Sequence, residues 1–247
     1  MPDQGLNNRY DYSVYYKLWH SATEAHAASM SGYYRWLVGP WLPDGTGKSL
    51  LDVGCGMGFA LRAMQDHGFE RVRGIDISPE QIAACRELGL PGELVESTES
   101  YLWSCEERFD VILLLDVLEH VPRESQIPLM RAVEHVLNPD GKVVITVPNA
   151  GSPLAMVWRY QDFTHHSSFT RESLSFVLLN AGFSKIEIPG QGPLRRPSVR
   201  FWRKGYWPNL RRWFVRFLWR QILISELGPA DIDSRCIELN LFCVASR

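Results

Sequence analysis

From Lys48 to the end of the chain, short apolar runs alternate with stretches of helical spacing. Runs at 48–53, 72–76, 93–96, 109–115, 142–147, 183–188 and 236–245 read as strands. Segments near 58–67, 79–88, 124–137 and 171–181 read as the helices between them. Strands that alternate with helices of this length predict a parallel sheet covered on both faces. The run FDVILLL at 109–115 is apolar almost throughout, as a strand buried on both faces must be. The last run follows no crossover helix, so an antiparallel placement is open to it. Residues 10–42 hold a pair of helical segments ahead of the first strand, and no internal repeat is visible.

The pattern divides the chain into an N-terminal helical extension (1–45), a core (46–188 and 236–247) and an insertion (189–235). The insertion is too long for a structureless connection in a compact domain, so it should carry its own fold. Within it, Leu210, Trp213, Phe214, Phe217 and Leu218 recur at i, i+3, i+4, i+7 and i+8, which makes one apolar helix face. Arg212, Arg216 and Arg220 lie beside or opposite that face. Such a helix suits a membrane surface or a lipid-linked acceptor, the protein's own core, or the interface of a homodimer.

Charge sharpens this picture. The chain has 247 residues and a net charge of -2. From Ile188 to Ser225 there is no Asp or Glu but there are nine Arg and Lys, so a basic patch sits on an acidic body. The net charge argues against a broad nucleic-acid footprint. The five cysteines form no CxxC pair, which suggests neither zinc nor a disulfide framework. They read as reduced thiols of a cytoplasmic protein, peripheral at the inner face of a membrane if the insertion docks there. No stretch approaches eighteen apolar residues, and the N-terminus lacks an apolar signal core.

The chemistry begins at LLDVGCGMGFAL (50–61), a strand followed by Gly54, Gly56 and Gly58 and then a helix. Glycines permit a sharp turn and close approach of a ligand to the backbone. Asp52 sits inside the strand end, and Asp76 ends the next strand, where a ribose hydroxyl pair would need an acceptor. The third glycine comes one residue too early for the dinucleotide fingerprint, which weakens a nicotinamide reading. An acid near the loop suits the ammonium and sulfonium of S-adenosyl-L-methionine better than a pyrophosphate. Asp76 and Asp116 are also open to helix-capping roles, with Ser78 the better cap before Pro79. Met57 and Phe59 read as packing.

Four stretches together, DVGCGMG (52–58), GIDIS (74–78), FDVILLLDVLEHV (109–121) and LNPDGKVVITVPN (137–149), resemble the class I S-adenosylmethionine-dependent methyltransferase family. The resemblance implies a Rossmann-like, seven-stranded, mostly parallel sheet with a reversed last strand. It implies that Asp52, Gly54, Cys55, Gly56 and Gly58 hold the methionine end of the cofactor. Asp76 would take the ribose, Ile77 the adenine face, and the turn Glu96, Ser97 and Thr98 the adenine edge. Leu115, Asp116 and His120 would flank the methionine portion. A fold-retaining binding protein without transfer activity is the non-enzymatic alternative.

Sugar and phenol acceptors need a base; carboxylates and phosphates do not. Histidine serves near neutral pH. His20, His120, His165 and His166 come into question. YQDFTHHSSFT (160–170) follows the fifth strand, where an acceptor pocket forms beyond the strand ends. A D-x-x-H followed by a helix start is similar to methyltransferase-like proteins of surface-glycan pathways. His165 is the candidate base, Asp162 its orienting acid and His166 the alternative base. The same side chains are equally open to tying down a loop ahead of a helix capped at Thr170. No metal is expected, since a DxxH site has no third ligand apparent in the sequence. Tyr10, Tyr12, Tyr15, Tyr16 and Trp19 either close the cofactor mouth or pack as helix. The reading is a methyltransferase acting on a saccharide, or its phosphate, in surface-glycan assembly, with a polyprenyl-phenol quinone precursor as the alternative acceptor.

Overall fold

The computed structural model describes residues 21, 23–189, 206–228 and 237–247. His20, Cys236 and the five N-terminal aromatics named above lie outside the described residues. The sheet has seven strands: β1 Ser49–Val53, β2 Arg71–Asp76, β3 Gly92–Leu94, β4 Phe109–Leu115, β5 Leu137–Pro148, β6 Lys185–Glu187 and β7 Asn240–Ser246. Their order is β3-β2-β1-β4-β5-β7-β6. Strands β1 to β5 pair in parallel, while β7 runs antiparallel to both β5 and β6. The expected reversal of the last strand is therefore present.

Eight described helices connect or cover these strands: α1 Glu24–Val38, α2 Phe59–His67, α3 Pro79–Glu87, α4 Thr98–Ser104, α5 Arg123–His135, α6 Ala155–Gln161, α7 Arg171–Ala181 and α8 Tyr206–Leu227. The two-residue period of the strands sorts their side chains onto two faces. Leu51, Val53, Ile112, Leu114, Val143 and Ile145 pack with Met130 and Val133 of α5 and Leu174 and Leu178 of α7. Leu50, Val111, Leu113 and Val144 pack with Val38 of α1 and Ala63 and Met64 of α2. The described part of the N-terminal extension is thus bound to the core. Arg62 pairs with Glu24 at 2.6 Å, and Ser31 donates to Asp66.

Three local readings change. The fifth strand begins at Leu137, where it pairs with Phe109 before the register shifts toward the Val111–Lys142 pair. Helix α4 follows β3 because Ser97 caps it by accepting from the Ser100 N–H. Helix α6 interrupts the presumed loop after β5 and has no buried residue. Elsewhere, the predicted caps hold. Ser78 accepts from Gln81 ahead of Pro79, and Thr170 and Ser173 form a reciprocal capping box.

Candidate active site

The strand order reverses between β1 and β4, and ligands of open α/β sheets sit beyond the strand ends at such a switch point. A cavity of about 410 Å³ opens there. Its cofactor side is built by the loop after β1. Gly54, Gly56 and Gly58 have φ of 74°, 52° and 82°, in the left-handed region that glycine adopts freely. A Cβ on Gly54 would lie 2.5 Å from Cγ2 of Val117, so this turn also needs the missing side chain for space. Asp52, Gly54, Cys55, Gly56, Leu115, Asp116 and His120 all line the cavity. Met57 and Phe59 line it as well, and Phe59 is buried against His26.

Asp116 is the only non-glycine described with positive φ, at 56°. It caps no helix, because the 3-10 turn that follows has Val117 at its cap position and no side-chain cap bond. Instead Asp116 Oδ1 accepts from Thr146 Oγ1 and Asn240 Nδ2, and its N–H bonds back to Thr146. Asn240 Oδ1 in turn accepts from Trp158 Nε1 at 3.0 Å. Backbone strain of this kind persists only where surroundings hold it, and it clusters at functional sites.

The other expected cofactor contacts stand apart. Gly58, Asp76, Ile77, Glu96, Ser97 and Thr98 do not line the cavity. Asp76 closes β2 with each oxygen accepting one backbone N–H, from Gly56 at 2.9 Å and Ser78 at 2.8 Å. The Ile77 N–H also acts on this carboxylate, whose about four lone-pair sites leave room for a further donor. Ile77 is 45% exposed and Ser97 is exposed, so these residues form an open shelf beside the cavity.

The electrostatics give a test of fit for S-adenosylmethionine. Asp52 is buried, and burial, followed by the charge of Asp76, pushes its pKa up to about 7. Burial also raises the carboxyls of Asp76 and Asp116. Glu119 is raised well above its ordinary range, first by burial and then by Asp116. A cationic ligand would draw these carboxyls back toward their ionised forms, whereas a pyrophosphate would raise them further. The cofactor's ammonium and sulfonium supply that positive charge.

The acceptor side comes from α6, the loop 162–168 and the turn after β4. His165 Nδ1 lies 3.2 Å from the Trp158 carbonyl. A carbonyl only accepts, so Nδ1 carries the proton and Nε2 keeps its lone pair. Asp162 stands beside His165 as a close pair without a hydrogen bond between their side chains. Its Oδ2 is 3.9 Å from Nε2, while Oδ1 is taken by the N–H and hydroxyl of Thr164 in a local turn. The Thr164 hydroxyl donates to Asp162, so it accepts from His120 Nδ1 at 2.8 Å. Asp162 therefore orients His120 through Thr164. Burial, then the neighbouring His165, pushes His120 down to about 4. Burial also lowers His165, keeping it neutral and able to accept a proton.

His166 is not among the cavity residues. Its side chain is exposed, and its N–H donates to the Glu119 carbonyl at 2.7 Å. Sequence reasoning missed Tyr34, Glu119, Trp158, Gln161 and Asn240, all of which line the cavity. Glu119 is 1% exposed, and its Oε2 has no hydrogen-bond partner among the described residues. Ligand atoms of Glu119, His120 and His165 lie within 4.8 Å of one another, a grouping that can share protons or hold a divalent ion. Asp162 is outside that group.

In the insertion, α8 presents an apolar surface that the core leaves open. Trp207 is 67% exposed and Phe214 52%, and Trp213 stacks on Phe217 with centroids 5.7 Å apart. None of Leu210, Trp213, Phe214, Phe217 and Leu218 is buried. Arg216 pairs with Glu238 at 3.1 Å, two residues ahead of the cavity residue Asn240. Among the described residues, no helix is long and apolar enough to cross a membrane.

Known proteins share this construction. A model of a methyltransferase domain matches residues 30–188. The ubiquinone biosynthesis O-methyltransferase of Proteus mirabilis is 34% identical over 108 residues, spanning 42% of this chain and 43% of that protein. The corresponding protein of Pseudomonas entomophila is 36% identical over 108 residues, 42% of this chain and 45% of the relative. The chain thus matches less than half the length of these relatives. A SAM-dependent methyltransferase from Archaeoglobus fulgidus superposes with a TM-score of 0.65 at 20% identity, over 96% of this chain and all of that one. The chain belongs to the methyltransferase-domain family and has its class I, S-adenosylmethionine-dependent fold.

Proposed function

We propose that the protein is an enzyme that methylates a hydroxyl oxygen of a small or lipid-linked acceptor. The observation that carries this reading is His165. Its proton is fixed on Nδ1 by a main-chain carbonyl, and it lines the cavity with burial keeping the ring neutral. S-adenosylmethionine, when bound, supplies a methyl group already activated by its sulfonium. Asp52, the glycine loop and Asp76 hold it, and His165 Nε2 takes the acceptor's proton. Glu119, its carboxyl raised by burial, and the Trp158–Asn240–Asp116 chain fix the geometry beside it. Positioning of this kind lowers a displacement barrier by pre-organising the reactants.

A saccharide hydroxyl is the first reading of the acceptor. Gln161, Asp162, Asn240 and Glu119 make its side of the cavity rich in hydrogen-bonding groups. A phenolic quinone precursor is the second, favoured by the O-methyltransferase names of the relatives. Labelled methyl transfer into cell fractions, followed by identification of the product, decides between them. A label found on nitrogen or carbon would end both readings.

The proposal includes contact of α8 with an anionic membrane surface or an acceptor anchored in one. It is supported by the exposed aromatics and the absence of acids from Ile188 to Ser225. Each arginine near such a surface adds about 1 kcal/mol. Replacing Arg212, Arg216 and Arg220 by Glu should abolish co-sedimentation with anionic vesicles at low salt. Wild-type protein that stays in solution, or that buries α8 in a dimer, would contradict this contact.

A further inference from the structure

A second depression, of about 300 Å³, lies across the 165–168 segment from the cavity. Its polar lining is Arg123, Arg159, His166, Ser167 and Ser168, and the rest of its wall is apolar, including Met156. No acid lines it. Arg123 opens α5, whose first turn has no side-chain cap, and is exposed with no ion pair among the described residues. Arg159 spends one guanidinium nitrogen on the His166 carbonyl at 3.1 Å and leaves the rest of its fork uncommitted to any described carboxylate. Ser167 Oγ accepts from Gln126 Nε2, so its own proton is left for another acceptor. Ser168 Oγ is buried and has no partner among the described residues. Buried hydroxyls are ordinarily satisfied, and one that is not points to a missing partner.

We infer that this depression is a phosphate-binding subsite beside the reaction cavity. Two guanidinium groups, two hydroxyls and a ring nitrogen offer more donors than the two oxygens of a carboxylate can accept. A phosphate ester, with three oxygens and a dispersed charge, matches them, and arginine forks bind phosphate bidentately. The volume leaves room for the body to which the phosphate is attached. The subsite is coupled to the cavity by sequence: Arg159 follows Trp158 on α6, and His166 follows His165. A ligand spanning the segment would have its phosphate held on one side and its hydroxyl at His165 on the other. That use of the subsite rests on the acceptor reading above; the binding itself does not.

The phosphate can come from a soluble phosphomonoester or from a lipid headgroup, and the test has an arm for each. The cofactor-free full chain is titrated with inorganic phosphate, with a hexose phosphate, and with phosphatidylglycerol vesicles against phosphatidylcholine controls. Ionic strength is held constant with chloride. Inorganic phosphate should shift the amide resonances of Ser167 and Ser168. The Arg123→Gln variant should bind it about tenfold more weakly, as expected for a lost charge-assisted bond. Because Arg159 also holds the His166 carbonyl, Arg123→Gln is the cleaner variant, and Ser168→Ala provides a second. S-adenosylhomocysteine affinity should be unchanged in both. Preference for the hexose phosphate, or vesicle binding that Arg123→Gln weakens, names the source and supports the subsite; vesicle binding that Arg123→Gln leaves intact belongs to α8 and counts against a lipid source. Shifts no larger than those from chloride would overturn it, as would undiminished binding in the Arg123→Gln/Ser168→Ala double variant. Intact phosphate binding without methylation of any phosphorylated acceptor would leave the subsite standing and remove the acceptor reading.

Discussion

The cavity's two halves are built from different kinds of chain. The cofactor half consists of strand ends and one tight turn: Asp52 lies one residue from the end of a fully buried strand, and Gly54 has no room for a side chain. The acceptor half consists of a short helix with no buried residue and a loop held by side-chain and main-chain hydrogen bonds. One half is fixed by the sheet and tolerates little. The other can change its side chains without disturbing the core, which is where a fold of this kind varies its substrate.

The largest effect that would sharpen this contrast is expected at Gly54. An alanine there combines a φ of 74° with a clash against Val117, and should cost about 2–4 kcal/mol and most cofactor binding. Pairing it with Val117→Ala should return part of both losses in melting and calorimetry. Full tolerance of Gly54→Ala would mean that the turn is not rigid. Next in size, Asp76→Ala should weaken S-adenosylmethionine binding by about tenfold to a hundredfold, the worth of bonds to a charged group at about 1.5–3 kcal/mol. Unchanged calorimetric affinity would remove Asp76 from the site.

The smallest effect is in pH. The Asp52 carboxyl is raised from 3.8 to about 7 in the native state, so the folded protein holds a proton that the unfolded chain has released. Its contribution to stability is complete below about pH 4 and is lost as pH rises through about 7. Asp76, Asp116 and Glu119 shift in the same direction. Without cofactor, melting temperature should therefore fall across that window, Asp52→Asn should flatten the fall, and S-adenosylmethionine should oppose it. A cofactor-free melting curve that rises from pH 4 to 7 would show that these acids are ionised and compensated in the native state.

The same contrast explains what could be read from the chain. Strand runs, the glycine turn and the caps at Ser78 and Thr170 are local, and each left a local signal. The reversed β7 was legible only as an unconnected strand, because its direction depends on pairing with β5 and β6. Helix α6 has no buried face to give it a period. Glu119 lies inside a motif already noted, but its burial depends on packing from across the fold, and a carboxylate beside a histidine has no spacing to mark it. The hydrogen bonding around His165 was illegible for another reason. His165 Nδ1 bonds a main-chain carbonyl, which has no side chain to notice, and Thr164 takes Oδ1 of Asp162 while Oδ2 stands 3.9 Å from His165 Nε2.

The most direct test measures cofactor affinity and methyl transfer on the same two variants, Asp52→Asn and His165→Ala. If the halves are separable and His165 is the base, Asp52→Asn weakens S-adenosylmethionine binding. His165→Ala leaves that binding intact and lowers transfer to a hydroxyl acceptor by about 10²–10⁴-fold. A His165→Ala enzyme that keeps a near-normal rate, or that loses cofactor binding together with its rate, would contradict the account.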